Sequence, residues 1–313
     1  MLWHLLNPIF DLFIKTLSSI APITIFVAVS LTVASKYERL SCNAGRRWWN
    51  INGLKTDMFY TFLIPFFIPQ MRAIAAIGVS KLFYLVNAVL FIDFHGLMQL
   101  TELPIPAQVA IYVILNDFIL YWFHRAFHGR RLWLIHAVHH SATDVDWTTS
   151  GRFHPLNFLM GSMLVSSALI YMGTSPVVVL IIAYPDALHS YLVHANLNFT
   201  FGPLKYLIAS PVFHRWHHTP TRQAGNKNFG ATFALWDVLF GTFHMPKGLL
   251  PDVYGLESSS FPTGFLGQLV FPFSGVPPYL RMLATKYLRH LNILPDDASQ
   301  LMIKKVLRVT RYF

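Results

Sequence analysis

His124-Arg-Ala-Phe-His128, His136-Ala-Val-His139-His140 and His214-Arg-Trp-His217-His218 are the segments on which the reading of this chain turns. The stretch from His124 to His218 holds eleven of the fifteen histidines. The spacings are i, i+4 once and i, i+3, i+4 twice, and on an α-helix those spacings put side chains on one face. Imidazoles gathered on one face can converge on a metal, and neutral imidazole suits iron, zinc, copper and nickel. A single histidine is ordinarily a packed core or interface residue, but two H-x-x-H-H repeats plus an H-x-x-x-H are not accounted for that way. Eight histidines are too many for one tetrahedral zinc and suit two metals with open positions.

The surrounding composition says where such a site would sit. The chain has 313 residues, is 54% hydrophobic and 12% charged, and has a mean hydropathy of +0.45. A soluble domain carries roughly twice that share of charge, so an integral membrane protein is expected. The net charge of +10 first suggests nucleic acid, yet the cations cluster at the ends of apolar runs. Lys36, Arg39, Arg46, Arg47 and Lys55 share one loop; Arg125, Arg130 and Arg131 end another run; Lys304, Lys305, Arg308 and Arg311 close the chain. This is the pattern of cytoplasmic anchoring beside anionic lipid, not of a nucleic-acid surface. The N-terminus shows no charged n-region or cleavage site, so no secretory signal is expected. Cys42 is the only cysteine, which excludes an intrachain disulfide and a Cys-ligated iron–sulfur cluster.

The expected fold is all-α, an integral membrane helical bundle of about 4–5 spans with a cytosolic histidine-rich cap. Residues 1–17 read as an interfacial lead-in, and 18–34, 73–94, 107–123, 155–172 and 176–193 as spans. Residues 58–70, broken by Pro65 and Pro69, read as interfacial or re-entrant. Trp48 and Trp49 suit the membrane interface. Pro155 fits the first turn of a helix, and Ser210-Pro211 an N-cap and first residue that start a short helix ended by Thr219-Pro220. Amphipathic helices are expected at 278–292 and 295–310, lying on the membrane. Three regions follow: membrane and interfacial helices at 1–100, a catalytic region at 101–275, and C-terminal amphipathic helices at 276–313. Alternation of the spans puts the basic loop 35–56 and all three histidine segments on one side, the cytoplasmic one by the positive-inside rule.

The chemistry is constrained by what is missing. Carboxylate-bridged di-iron bundles need about four Glu, two of them in Glu-x-x-His pairs. This chain has only Glu38, Glu102 and Glu257, none at that spacing, and no H-E-x-x-H. Any two-metal site is therefore histidine-dominated. Asp117 lies seven residues before His124 inside an apolar run, where a charge needs a partner; it is expected to accept the outer N–H of a ligating histidine. His154, fixed as extended by Pro155, has three roles open to it: ligand, supporting residue or substrate contact. His189 and His194 are five apart and could both turn inward at the kink from Pro185. Asn228-Phe229-Gly230 and Trp236-Asp237 are candidates for shaping the cap. Asp144, Asp146 and Trp147 are candidates for a cap loop, with Asp144 and Asp146 expected to face solvent. His4, His95, His244 and His290 are read as non-ligands.

In order along the chain, Asp117-x6-His124-Arg-x2-His128, Leu132-Trp-x-Ile-His136-x2-His139-His140-Ser141 and Arg152-Phe-His154-Pro155-Leu156 come first. His189-x4-His194-Ala-Asn196, Gly202-Pro203-Leu204, His214-Arg-x-His217-His218, Asn228-Phe-Gly230 and Leu235-Trp236-Asp237-x2-Phe240-Gly241-Thr242 follow, with Phe261-Pro262 to Pro272-Phe273 last. This series resembles the sterol desaturase / fatty acid hydroxylase superfamily of histidine-box membrane oxygenases. The resemblance covers roughly residues 107 to 275. It implies a membrane bundle whose cytosolic cap holds two iron ions (zinc is possible in isolated protein), O2 as co-substrate, and a lipid substrate, sterol-like or acyl. By resemblance His124, His128, His136, His139, His140, His194, His214, His217 and His218 are metal ligands, with His189, His154 and Asp117 as further ligand or supporting candidates. No catalytic residue beyond the ligands is implied. The chain has no Rossmann glycine fingerprint and no C-x-x-C-H haem site, so electrons are expected from an external protein of cytochrome b5 or ferredoxin type. The absence of a fused haem domain favours the sterol-desaturase-like branch. The expected membrane is a bacterial inner membrane or the ER. The competing readings are a zinc-dependent membrane lipid hydrolase or lyase on the same histidines, and a non-catalytic membrane metal-binding protein.

Overall fold

A computed structural model describes residues 23–220, 224–257 and 261–273. The expected lead-in, the start of the first span, His4, His290 and both C-terminal amphipathic helices lie outside these residues. Among the described residues every regular element is helical. The principal helices are α1 (Ile23–Ser35), α2 (Leu54–Leu63), α3 (Ile68–Leu90), α4 (Ile105–Phe127), α5 (Trp133–His140), α6 (Pro155–Tyr171), α7 (Pro176–His194), α8 (Pro211–His217), α9 (Leu235–Leu239) and α10 (Phe265–Val270).

Residues 58–70 are not a separate re-entrant piece. α2 runs through a 3-10 turn, Ile64–Phe67, into α3, so that Leu54–Leu90 is one run of 37 residues. The chain stays helical because Pro65 and Pro69 each stand in the first turn of a new element, where a backbone N–H has no helical acceptor to lose. At 1.5 Å per residue the run is about 55 Å long, well over the ~30 Å of a bilayer core. Its first turns belong to the cap, where Asp57 is buried. Leu54–Leu90, Ile105–Phe127 and Pro176–His194 are long and apolar enough to cross a membrane; Ile23–Ser35 and Pro155–Tyr171 are apolar but shorter. α6 is interrupted by a π-turn at Leu159–Met163, with Gly161 off helical geometry.

The bundle has two unlike ends. At one end α6, α4, α7 and the 91–104 connection meet in tight turns: Gly96 N–H donates to Tyr171 O (3.0 Å) and Met98 N–H to Met172 O (2.8 Å). Between the helices Tyr112, Val165, Leu169, Val178 and Ile182 form the apolar core. Outward faces carry Leu82, Leu85, Val89, Ile114, Val177 and Leu180, all exposed, as expected of helices whose solvent is lipid and whose backbone groups bond internally. At the other end lie the start of α2, the C-termini of α4 and α7, and the start of α6. Pro155 opens α6 as expected, and the His154 ring caps it by accepting from Leu156 N–H (3.1 Å).

The cap is built on this second end and is held by buried polar groups. Arg152 and Asp57 form an ion pair with side chains 3% and 0% exposed; the same guanidinium donates to Gly53 O (3.0 Å), and Thr148 Oγ1 donates to Asp57 (3.0 Å). Arg215, fully buried, donates to Val145 O (2.6 Å), His194 O (3.1 Å), Tyr254 Oη (2.8 Å) and Asn43 Oδ1. Trp48 is a packing residue here: it meets Trp147 edge-on and gives its indole N–H to Thr32, whereas Trp49 is half exposed. Asp146 does not face solvent, and Asp144 does so only in part. Asp144 pairs with Arg46 (2.8 Å) and accepts from Asn52. Asp146 is buried, caps the turn Trp147–Gly151, and burial lifts its pKa to about 6. A short polar side chain that can satisfy the start of a helical turn gains more there than in water.

Candidate metal centre

Each histidine segment is positioned by a helix end at the cap. α4 carries His124 in its last turn and stops with His128 as its C-cap; α5 carries His136, His139 and His140; α7 ends on His194. Ser210 caps α8 by accepting from Phe213 N–H (3.2 Å), Pro211 opens it, and His214 and His217 follow with His218 as C-cap. These nine side chains form two groups, His124, His128, His136, His140 and His217 in one and His139, His194, His214 and His218 in the other. Within each group one nitrogen per ring lies within 4.8 Å of all the others.

The arrangement explains the H-x-x-H-H spacing. Residues i and i+4 are about 40° apart around a helix, while i+3 points about 100° from i+4. Accordingly His136 and His140 enter the five-histidine group while His139 crosses to the other; His214 and His218 enter the four-histidine group while His217 crosses. Two short helices thereby feed both pockets. The pockets share a wall, with His140 and His218 ring centres 4.8 Å apart and His214 and His217 5.4 Å apart.

Hydrogen bonds fix where the protons are. Nδ1 lies against a backbone carbonyl in His124 (Phe229 O, 2.7 Å), His217 (Lys227 O, 2.7 Å), His194 (Ser190 O, 2.6 Å) and His139 (Arg152 O, 3.2 Å). In His136 it lies against Asn157 Oδ1 (2.8 Å). Carbonyl oxygens only accept, so each of these rings donates from Nδ1, and in the neutral ring Nε2 is then a lone pair. Burial makes them neutral: His136, His139, His140, His214, His217 and His218 all have pKa values held well below 6.5, burial being the main cause and neighbouring imidazoles adding to it for most. Yet the Nε2 atoms face one another, His124 to His136 at 3.1 Å and His139 to His194 at 3.3 Å. Two lone pairs at that distance repel unless a cation lies between them. The Nε2 atoms of His128 and His217 are buried without any partner, a costly state for polar atoms. The residues present therefore fit a metal in each pocket, with a carbonyl-held outer nitrogen on five of the nine rings, the arrangement that orients metal-binding histidine.

The remaining candidates are elsewhere. His154 uses both nitrogens, Nδ1 for the cap of α6 and Nε2–H for Leu269 O (3.0 Å). His189 joins neither group, and its Nε2 is buried without a partner. Asp117 does not take a histidine N–H. Its carboxylate accepts from Thr232 N–H (2.8 Å), Phe233 N–H (3.0 Å) and the Trp236 indole (2.9 Å), so it holds the cap chain before α9. Facing seven residues back from His124 put Asp117 on the right helix but two turns too deep for the rings. His95 meets Tyr171 edge-on at the far end of the bundle, and His244 meets Trp216 edge-on. Sequence reasoning missed Asn157 and the four backbone-carbonyl contacts, since a backbone oxygen leaves no mark in residue identity.

What fold and site define is a helical membrane protein with paired all-histidine pockets at one end of its bundle. Residues 109–242, which contain every one of the nine histidines, match the fatty acid hydroxylase family model. Over 184 residues the chain is 34% identical to ornithine lipid hydroxylase OlsE of Rhizobium tropici, covering 58% of this chain and 55% of that protein. It is 30% identical to human alkylglycerol monooxygenase over 141 residues, 45% of this chain and 31% of that one. A third relative, very-long-chain aldehyde decarbonylase GL1-11 of Oryza sativa subsp. japonica, is 32% identical over 158 residues, 48% and 58% of the two chains. The matches thus span about half, or less, of these relatives' own lengths. No solved structure matches the chain.

Proposed function

We propose that this protein is a multi-pass membrane oxygenase that hydroxylates or desaturates a lipid, holding two iron ions in the two histidine pockets. The observation that carries the reading is the set of neutral imidazoles whose unprotonated nitrogens face each other in two adjoining, buried pockets. Its relatives are named as a lipid hydroxylase, monooxygenases and decarbonylases, which supports redox chemistry on lipid over zinc-dependent hydrolysis. When bound, an iron pair with neutral ligands would supply O2 activation strong enough to attack an unactivated C–H bond. The chain's own part is to hold the rings in one tautomer through the carbonyls of Phe229, Lys227, Arg152 and Ser190, and to keep bulk water out of the pockets. Oxygen insertion consumes two electrons and two protons and releases one oxygen atom as water. With a single buried cysteine among its residues, the chain takes those electrons from a separate protein, of cytochrome b5 or ferredoxin type.

The site end is assigned to the cytoplasmic face. The connections at the far end, 91–104 and 172–175, contain no Lys or Arg, whereas Lys36, Arg39, Arg46 and Arg47 stand in the loop that packs on the cap. A lipid in that leaflet would reach the pockets from the side of the bundle. The test is reconstitution in vesicles with iron, a chemical reductant and the lipids of the native membrane. O2 consumption with a lipid product heavier by one oxygen, or lighter by two hydrogens, is expected. Zinc retained as the active metal with no O2 uptake would refute the proposal.

A further inference from the structure

Asp237 and the Lys227–Gly230 loop are not ligands, yet the five-histidine pocket depends on them. Lys227 O and Phe229 O accept Nδ1–H of His217 and His124, so two rings from different helices are aimed by alternate carbonyls of one short loop. That loop has no regular structure of its own. Asp237, fully buried, fixes it by accepting from Phe229 N–H and Gly230 N–H, both at 2.7 Å, and from Thr242 Oγ1 at 2.6 Å. Tyr121 Oη, one turn before His124 on α4, lies 2.8 Å from the same Thr242 hydroxyl. Gly230 is required: a Cβ there would meet Phe233 O at 2.3 Å and the Asp237 carboxylate at 2.9 Å. Asn228 holds the loop's turn with φ 60 and a buried amide that donates to Phe213 O (2.8 Å) and His244 O (2.7 Å). In the four-histidine pocket the carbonyls are Arg152 O and Ser190 O instead, from other parts of the chain.

We infer that Asp237 is a positioning residue for one pocket only, setting His124 and His217 through the carbonyls of Phe229 and Lys227. The inference rests on the reading that both pockets hold a metal. It makes the two metal positions separately breakable.

The experiment is a cobalt(II) titration of chelator-stripped, detergent-solubilised full-length protein, followed by absorption and by bound metal per chain. The wild-type protein is expected to take two equivalents. Asp237→Asn replaces one accepting oxygen with an N–H2 that opposes a backbone N–H. It should keep one equivalent at wild-type affinity and weaken the other by about 10–100-fold, the usual scale for a lost supporting contact. In a His139→Ala background it should weaken the metal that remains, and in a His217→Ala background it should change nothing further. Thr242→Val, which removes only the hydroxyl, should weaken the same equivalent to a smaller degree and serves if Asp237→Asn does not fold. Two unaltered equivalents in both variants, or equal weakening of both metals with the thermal midpoint unchanged, would overturn the inference. A wild-type chain that takes up no cobalt would remove the metal reading and this inference with it.

Discussion

Acidification should dismantle the cap from the inside. Six histidines outside the membrane-crossing helices, His136, His139, His140, His214, His217 and His218, have folded-state pKa values far below the 6.5 of a solvated ring because they are buried. In the unfolded chain each titrates near 6.5, so below that pH the unfolded state binds more protons and gains free energy that the folded state forgoes. The sign is therefore loss of stability as pH falls: full stability above 6.5, progressive loss from 6.5 down toward the folded values. At pH 5.5 each ring contributes about 1.4 kcal/mol to the unfolded side. Six rings sum to about 8 kcal/mol, comparable with the 5–15 kcal/mol that holds a typical domain together. Thermal melts of chelator-treated protein in detergent, between pH 8 and 5.5, read this directly. The midpoint should be level above about pH 7 and drop by roughly 15–30 °C at pH 5.5 on the scale of 2–4 °C per kcal/mol. Metal-loaded protein should release its metal over the same window, because protons and metal compete for the same lone pairs. A midpoint at pH 5.5 within about 3 °C of that at pH 7.5 would refute the reasoning, since rings that stay neutral without cost cannot be buried as described.

Asp57→Asn leaves the Arg152 guanidinium buried without its counter-charge and should cost about 3–5 kcal/mol; Asp57→Leu with Arg152→Met should recover much of it. Equal melting of Asp57→Asn and wild type would show the pair to be solvated. Replacing His139 or His217 with Ala should abolish activity and cut bound metal while the protein still inserts, each variant emptying a different pocket; activity persisting in both would overturn the site. Asp117→Asn exchanges one acceptor for a donor facing Thr232 N–H, Phe233 N–H or the Trp236 indole, and should cost about 1–3 kcal/mol of stability with both metals retained. Metal loss from a fully stable Asp117→Asn protein would return Asp117 to the histidines.

Residue order alone was enough for the all-helical bundle, for its membrane setting, and for the gathering of eight of the nine histidines; His194 was reached only through the family resemblance. Period and spacing carry that information: H-x-x-H-H forces imidazoles onto neighbouring faces of one helix wherever the helix lies. Ser210-Pro211 and Pro155 marked helix starts for an equally local reason, an unsatisfied first turn. Which histidine belongs to which pocket was not legible, because it depends on how α5 and α8 are rotated against α4 and α7. Nor was the fate of Asp117, Asp144 and Asp146. A carboxylate is defined by the donors brought to it, and Thr232, Phe233, Trp236, Arg46 and Trp147 come to these from across the fold or from their own backbone turn. The run Leu54–Leu90 was split in the sequence by two prolines and rejoined by a 3-10 turn that places both where they do no harm. Least visible of all were the carbonyls of Phe229, Lys227, Arg152 and Ser190. Every residue owns such an oxygen, so only the folded backbone decides which of them meet a ring.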